Sequence, residues 1–332
     1  MREPPDLAEA SIAGSLRTRF GVKVEALLFL PVGNDAASWS YRVEVAGGPD
    51  LFLKIRAGGG AMPGAAVPSH LQRHGVANVL APLPTRAGSP SLPLNRHWLA
   101  LYPMREASTG TEAGLSPRQW EELGATVARI HGVPLTPELR RLVGVEAFRP
   151  SRRELIGGLD DLLSGPGPHD PVTAKLAAFW RERREVILGL VERADRLGGQ
   201  LATRKFEPVL CHADLHTWNV LVEPGGALWI VDWDEAILAP KERDLMFAIR
   251  GIGSGLVGPS DTERFLEGYG STTIDQDLLV YYRVAWAVMD IAAYGEEVTA
   301  LPWLGEESRR AAVDGFMILF EPGEIVDIAA GR

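Results

Sequence analysis

Three shortages in this sequence of 332 residues each exclude a class of protein. Cysteine occurs once, at Cys211, so no intramolecular disulfide and no cysteine-based zinc site of the usual spacing can form. No apolar run approaches the roughly 18 residues of a membrane span, and the first thirty residues lack the basic start and apolar stretch of a secretory signal. Hydrophobic residues make up 46% and charged residues 23%, which is ordinary globular usage. We therefore expect a cytoplasmic globular protein with no membrane partner.

Positive charge is scarce in the last third of the chain. The net charge is -9, yet residues 1–205 carry 26 basic and 21 acidic residues, a net of +5, whereas residues 206–332 carry 8 and 22, a net of -14. A general nucleic-acid binder is usually basic, so we expect no nucleic-acid partner. The acidic residues of the last third are interleaved with apolar ones and so belong to folded structure. They form either a solvated face or a surface that attracts cationic ligands.

The first hundred residues have the alternating apolar pattern and the turn residues of a small antiparallel sheet. A short helix is predicted over 7–20, and only a weak helix near 69–74, because that region is rich in glycine and proline. The predicted strands of this lobe cover 24–30, 40–45, 51–55 and 98–102.

Beyond Pro103 the apolar spacing becomes helical. Ser116, Pro117 and Gln119 supply an N-cap, a first-turn proline and a capping-box partner in order, so a helix is predicted to start there. Further helices are predicted over 172–198 and 261–320, and short strands over 209–211, 220–222 and 228–231. The sequence therefore predicts an α+β, bilobed protein with a cleft between its lobes. The small antiparallel β N-terminal lobe covers residues 1–103, and the large, mainly helical C-terminal lobe covers residues 104–332.

The most informative segment runs from residue 209 to residue 235. His212, Asp214 and Asn219 have the H-x-D-x-x-x-x-N spacing of a kinase catalytic loop, and Asp232 ends an apolar strand where the metal-binding aspartate of such enzymes falls. A phosphoryl group needs Mg²⁺ bound by an anionic and a neutral oxygen ligand, and the attacking hydroxyl needs a carboxylate to accept its proton. We therefore predict Asp214 as the catalytic base and Asn219 and Asp232 as the magnesium ligands. His212 is expected to brace the loop, and His216 to point to solvent or substrate.

Lys54 is the next candidate, because it is one of only five lysines in the chain and interrupts an apolar third strand. Kinases place a lysine on their third strand to meet the α- and β-phosphates of ATP. The turn over residues 33–38 lies where a phosphate-covering loop would be, which makes Ser38 a candidate nucleotide contact. An ordinary hairpin turn is the alternative interpretation of that segment.

Taken together, these segments resemble the aminoglycoside phosphotransferase family, which has a protein-kinase-like fold, and within it most of all the spectinomycin phosphotransferases. The resemblance is strongest over residues 209–222, 230–235 and 238–247, and it continues over 265–270 and 281–283. It implies ATP- and Mg²⁺-dependent phosphorylation of a hydroxyl on a cationic aminocyclitol or aminoglycoside antibiotic, which confers resistance. It also implies an interlobe hinge over 99–104, in which backbone groups of Ala100, Leu101 and Tyr102 bind adenine, and a loop brace at Asp244.

One departure from this family concerns Lys54. Such kinases pair the strand lysine with a glutamate on the following helix, but the chain contains no carboxylate between Asp50 and Glu106. We expect Lys54 to lean on Asp232 or on the nucleotide phosphates, and its side chain to be mobile without nucleotide. A catalytically weak, nucleotide-binding pseudokinase is the alternative that the missing glutamate favours.

A second departure concerns the acceptor. Residues 284–289 are apolar where the spectinomycin enzymes tend to be charged, which favours a kinase of another small metabolite, similar to choline or homoserine. The acidic charge of the last third leads us to expect a cationic acceptor on the second lobe. Its candidate contacts, besides Asp214, are His216, Asp234, Tyr282, Trp286 and Asp290.

Overall fold

The structure is a computed structural model that describes residues 4–31, 37–58, 62–167, 170–253, 256–301 and 304–331. It is bilobed and α+β, with an antiparallel sheet followed by a mainly helical lobe, so the predicted fold class is confirmed. Among the described helices none is both long enough and apolar enough to cross a membrane.

The first lobe is a five-stranded antiparallel sheet with the strand order β1-β2-β3-β5-β4. Helix α1, continued by a π-helical turn over Leu16–Phe20, packs on one face and buries Ile12 and Leu16 among apolar strand residues. The elements are α1 Glu9–Ser15, β1 Val24–Leu30, β2 Ser38–Val45, β3 Leu51–Ala57, α2 Pro63–Arg73, β4 Leu92–Leu94 and β5 His97–Pro103.

Helix α2 is longer than the weak helix predicted near 69–74, and the prolines explain the difference. Pro63 occupies the first turn, where its missing N–H costs nothing, and Pro68 lies inside the helix. Pro68 cannot donate to the carbonyl of Gly64 four residues earlier, and that carbonyl accepts a hydrogen bond from the hydroxyl of Tyr102 instead, at 3.2 Å. The helix therefore spans 63–73, because a neighbouring side chain satisfies the backbone group that the proline leaves unpaired.

The second lobe is built on two long helices, α7 and α10, which pack against each other in its core. Its helices are α3 Gly110–Ala113, α4 Pro117–His131, α5 Pro137–Leu142, α6 Leu155–Ser164, α7 Pro171–Leu201, α8 Glu242–Ala248, α9 Pro259–Tyr269, α10 Gln276–Thr299, α11 Glu306–Ile318 and α12 Ile325–Ala330. Ser116 and Gln119 form the predicted capping box of α4. The helical region predicted over 261–320 is three helices with turns between them, α9 to α11.

Two three-stranded sheets place the informative segment at the cleft. One has the order β10-β9-β6 and the other β7-β11-β8. The candidate catalytic loop joins β8 to β9, and the candidate metal-binding aspartate follows β10. The strands are β6 Ser108–Thr109, β7 Gly144–Val145, β8 Val209–Cys211, β9 Val220–Val222, β10 Leu228–Ile230 and β11 Ile237–Ala239.

The apolar run over 284–289 belongs to the core of the second lobe. Val284, Ala287 and Val288 are fully buried, and Ala285 and Trp286 are 6% and 5% exposed. The expectation that this run signals a different acceptor is therefore wrong, because helix α10 is surrounded by other helices and its apolar residues fill the space between them.

Helices α4 and α9 approach each other closely through glycines. A Cβ on Gly268 would overlap the backbone carbonyl of Glu121, and a Cβ on Gly124 would overlap that of Phe265. We predict that Gly268→Ala destabilises the protein by about 1–3 kcal/mol, because the helices must separate to admit a methyl group. Gly189→Ala in α7, where nothing lies within 4 Å, is the matched control and should be neutral or stabilising by up to about 1 kcal/mol. Urea unfolding measures both, and equal stability of the two variants would contradict this account of the interface.

Candidate active site

The catalytic loop fixes the carboxylate of Asp214 at the edge of the cleft. The side-chain amide of Asn219 donates to the Asp214 carboxylate at 2.9 Å and to the Asp214 backbone carbonyl at 2.8 Å. Both N–H groups of this amide are therefore directed at Asp214, and its oxygen is the atom left for another ligand. The Asp214 side chain is 23% exposed, so it remains accessible to an acceptor hydroxyl.

A buried carboxylate, Asp244, braces this loop from behind. Its two oxygens accept hydrogen bonds from the backbone N–H of His212 at 2.9 Å and of Ala213 at 2.7 Å. Ala213 has φ +68°, a left-handed conformation that is unfavourable for alanine and that these bonds maintain. Burial alone would raise the pKa of Asp244, but contact with His131 at 3.1 Å and the backbone donors lower it. The brace implied by the family resemblance is therefore present.

His212 connects the catalytic loop to the segment that ends in Asp232. The ring is fully buried, with Nε2 2.8 Å from the carbonyl of Val231, while Nδ1 accepts the backbone N–H of Asp214 at 3.2 Å. One nitrogen donates and the other accepts, so this ring is neutral. The predicted bracing role of His212 is confirmed.

Asp232 and Asn219 fit a divalent cation by the chemistry of their free atoms. Asp232 has φ +62°, and one of its oxygens contacts Lys54 Nζ at 2.9 Å, while the side chain remains 45% exposed to the cleft. Burial raises the pKa of this carboxyl, but the charge of Lys54 outweighs that effect and lowers it. An ionised carboxylate and an amide oxygen are the hard oxygen ligands that Mg²⁺ prefers.

A second cluster of ligand-type atoms, His131, Cys211 and Asp244, lies among the described residues within 4.8 Å of one another. It does not fit a metal, because both Asp244 oxygens already accept hydrogen bonds and burial raises the pKa of the Cys211 thiol. The thiol therefore stays protonated and directed at the carbonyl groups of Ala239 and Pro240.

Lys54 contacts two carboxylates, which the missing helix glutamate did not lead us to expect. Its ammonium lies 2.9 Å from Asp232 and 2.7 Å from Asp234, and Arg56, two residues further along β3, also pairs with Asp234. Burial would lower the pKa of Lys54, but the two carboxylates raise it, so the lysine stays charged. The expectation of a mobile lysine without nucleotide is therefore wrong. Asp234 lies on this side of the site and not beside His216.

A cavity of about 460 Å³ between the lobes ends at these charged residues. Its size suits a nucleotide-sized ligand, with apolar walls and a few polar groups at one end. Residues from both lobes line it: Leu30, Ser38, Ser40, Phe52, Lys54, Gly64, Leu80, Tyr102, Pro103, Met104, Arg105, Ala107, Trp218, Asn219, Leu221, Val231, Asp232 and Trp233. Ser38 is thus at the cavity, whereas residues 33–36 of the predicted phosphate loop lie outside the described residues.

The hinge is placed slightly later in the chain than predicted. Tyr102 lines the cavity, but Ala100 and Leu101 are fully buried within β5, where they pair with Lys54 and Leu53 of β3. Their backbone groups belong to the sheet. The cavity wall continues through Pro103 to Arg105, so these residues offer the backbone groups nearest to a bound base.

His216 and residues of α10 lie on the opposite side of Asp214. His216 Nε2 is 3.1 Å from an Asp214 oxygen, so the ring points at the catalytic carboxylate and not at solvent. Burial would lower the pKa of His216, but Asp214 and the charges of Asp290 and Asp232 raise it. The rings of Trp286 and Phe247 lie 6.4 and 6.1 Å from that of His216.

Of the candidate acceptor contacts, Tyr282 and Trp286 are buried, with exposures of 1% and 5%. Arg243 lies over both rings, with its guanidinium carbon 5.5 Å from each centroid. Asp290 lies at the same end of α10, where burial and the charge of Asp214 raise its pKa to about 7. The side chains therefore form a connected cluster beside Asp214.

Sequence reasoning missed several residues of the site. Arg56 repeats the side-chain direction of Lys54 on β3, and Trp218 directly precedes Asn219. Arg243 and Phe247 lie within the segment that carried the family resemblance, so their positions gave a usable signal. Glu235 follows Asp234, and partial desolvation together with the charge of Asp214 raises its pKa.

Comparison with known proteins agrees with this geometry. Residues 29–285 match the model of the Phosphotransferase enzyme family, APH. Protein StrN of Streptomyces griseus is 31% identical over 285 residues, 83% of this chain and 81% of StrN. An aminoglycoside 3'-phosphotransferase of Streptomyces fradiae is 33% identical over 168 residues, 45% of this chain and 60% of the relative. The crystal structure of spectinomycin phosphotransferase APH(9)-Ia with ADP and spectinomycin is 28% identical, covers 98% of both chains and has a TM-score of 0.87.

A bilobed fold with a nucleotide-sized cavity, a loop carboxylate and a strand lysine defines the class of small-molecule kinases. Because the family model covers most of its length, this chain belongs to the phosphotransferase enzyme family. The predicted family and enzyme class are thereby confirmed. The likeness to choline kinase LicA of Streptococcus pneumoniae, at 16% identity and a TM-score of 0.53 over 93% of this chain and 98% of LicA, extends to the fold alone.

Asp290 provides a test of the electrostatics beside Asp214. Its pKa of about 7 in the folded protein exceeds the ordinary value of 3.8, so the folded protein binds a proton more tightly than the unfolded chain does. Its contribution to stability is present at low pH and is lost as the pH rises from about 4 to 7. We predict that the stability of Asp290→Asn relative to the wild type increases over this interval, by up to about 1.4 kcal/mol per pH unit, and is constant above it. Thermal unfolding at pH 5 and pH 8 measures the difference, and a pH-independent difference would contradict the assignment.

Proposed function

We propose that this protein is an ATP- and Mg²⁺-dependent O-phosphotransferase acting on a hydroxyl of a cationic aminocyclitol of the spectinomycin type. The observation that carries the proposal is the likeness along 98% of the chain to a spectinomycin phosphotransferase with bound ADP and spectinomycin. A resistance function in the cytoplasm follows from the same proposal.

The roles of the residues follow from their positions. Asp214 would accept the proton of the acceptor hydroxyl, and Lys54 would meet the α- and β-phosphates. Asn219 and Asp232 would bind Mg²⁺, which supplies charge neutralisation when bound. Tyr102 and the chain that follows would line the adenine end, with Ser38 near the phosphates.

The cationic character of the acceptor is supported by the acidic groups beside Asp214. Glu235 and Asp290 have raised pKa values partly because Asp214 is close, so negative charge is crowded on this side of the loop. An amine-bearing ligand would relieve that crowding, whereas a neutral polyol would not. Candidate acceptor contacts are His216, Trp286, Tyr282 and Asp290, with Asp234 assigned to the nucleotide side.

The two alternatives lose the observations that favoured them. The apolar run on α10 fills the core and does not favour a choline- or homoserine-like acceptor. The missing glutamate does not leave Lys54 without a carboxylate, because Asp232 and Asp234 both contact it, so a pseudokinase is no longer favoured on that ground.

An acceptor panel tests the proposed function. ADP release is measured with spectinomycin, other aminocyclitols, aminoglycosides, choline, homoserine and a neutral polyol, each with and without Mg²⁺. We expect an aminocyclitol to give the highest kcat/KM, and raised salt to increase the KM of the acceptor more than that of ATP, because screening weakens attraction between charges. Higher activity with choline or a polyol than with every aminocyclitol would sink the assignment.

Two substitutions test the residue roles. Asp214→Asn is expected to lower kcat on the order of 10²- to 10⁴-fold with little effect on nucleotide affinity, because it removes the proton acceptor only. Asp232→Ala is expected to abolish the Mg²⁺-dependent part of nucleotide binding. Asp314→Asn, at an exposed carboxylate on α11, is the control and should be unchanged. Equal Mg-ATP affinity of the wild type and Asp232→Ala would rule out the metal role.

A further inference from the structure

Helix α2 contains no carboxylate, and the residue that faces the cleft from its first turn is Gly64. A Cβ on Gly64 would overlap one carboxylate oxygen of Asp234 and lie 2.9 Å from its Cγ. The Asp234 carboxylate therefore fills the space into which a side chain at position 64 would project. In kinases an ion pair between the strand lysine and a helix glutamate must be in place for activity, and this helix cannot supply it.

The polar contacts of Asp234 are directed at β3. Its Oδ2 lies 2.7 Å from Lys54 Nζ and also pairs with Arg56, and the side chain is only 9% exposed. Among the described residues no donor lies within hydrogen-bonding distance of its Oδ1, which faces Gly64. The carboxylate is thus oriented by the two β3 cations and by the absence of a side chain on α2.

Asp232 alone does not provide the same constraint. Its side chain is 45% exposed and faces the cleft, where it is the predicted magnesium ligand. Asp234 is the less exposed of the two carboxylates, and its contact with Lys54 is the shorter. Of the pair, Asp234 is therefore the one whose position suits a permanent partner of the lysine.

We infer that Asp234 positions Lys54 for the nucleotide phosphates, in place of a glutamate on α2. The partner comes from the second lobe, so the ion pair also joins the lobes across the cleft. This inference rests on the proposed phosphoryl transfer from ATP and is independent of which acceptor is used.

Moving the carboxylate from position 234 to position 64 tests the inference. The variants are Asp234→Ala, Gly64→Asp, the double variant Asp234→Ala/Gly64→Asp, and the uncharged control Asp234→Ala/Gly64→Ala, with Lys54→Ala as the reference for complete loss. ADP affinity is measured by calorimetry in EDTA, since contact of a lysine with phosphates needs no metal. The KM for ATP, kcat and the unfolding temperature are measured alongside.

We expect Asp234→Ala to weaken metal-free ADP binding about tenfold, approaching Lys54→Ala, and to raise the KM for ATP. Gly64→Asp alone should also be impaired, because two carboxylates compete for one space. In the Asp234→Ala background the same substitution should restore affinity, and Gly64→Ala should not. This reversal of sign is expected for a relocated charge and not for a generally weakened fold.

Several results would overturn the inference. Wild-type ADP affinity of Asp234→Ala in EDTA, with loss of activity only at low Mg²⁺, would make Asp234 a metal ligand. Simple addition of the losses in a folded double variant would exclude a relocated partner. If the double variant does not fold, the isosteric Asp234→Asn decides, since unchanged ADP affinity there also overturns the inference. Failure of the wild type itself to bind ADP would refute the proposed function and not the role of Asp234.

Discussion

The active site depends first on one buried carboxylate that never touches a substrate. Asp244 accepts the backbone N–H groups of His212 and Ala213 and thereby maintains the left-handed turn immediately before Asp214. A buried carboxylate without donors would be costly, and unpaired N–H groups in the loop would be costly too, so each satisfies the other. Because the Asp214 carboxylate is then fixed only by Asn219 and His216, its position follows from the backbone that Asp244 sets.

The second dependence is between the lobes. Val67 and Leu71 of α2 pack into the core of the second lobe, and the segment after α2 bonds to β10, with Ile230 N donating to Asn78 at 2.7 Å. Helix α2 is thus attached to the lobe that carries Asp232 and Asp234, while β3 brings Lys54 and Arg56 to the same place. The gap left by Gly64 lets one carboxylate reach both cations. Placement of the lysine is therefore a property of the assembled cleft and not of the first lobe alone.

Local patterns predicted what local forces decide. Strand β1 spans the predicted residues 24–30, and the capping box of α4 forms at the predicted residues, because alternation and capping act over a few neighbours. Helix α2 was underestimated because its stability comes from the hydroxyl of Tyr102, which lies 38 residues from the carbonyl that it satisfies. The same limit explains Lys54: its partner Asp234 lies 180 residues away, and no spacing rule connects them. The apolar run on α10 was misinterpreted because periodicity does not tell which side of a helix the rest of the lobe covers.

The uneven distribution of charge along the chain takes on a spatial meaning once the lobes are assembled. The cations of β3, from the basic part of the chain, face the phosphate end of the cavity, and Asp214, Glu235 and Asp290, from the acidic part, gather on the acceptor side. A phosphoryl group moving between them leaves a positive environment and approaches a negative one, which is unfavourable unless the acceptor or a metal brings positive charge. Under the proposed function both do so, since Mg²⁺ would be bound between Asn219 and Asp232 and the acceptor carries amines. The acidic last third is then a requirement of transfer to a cationic acceptor and more than a solvated face.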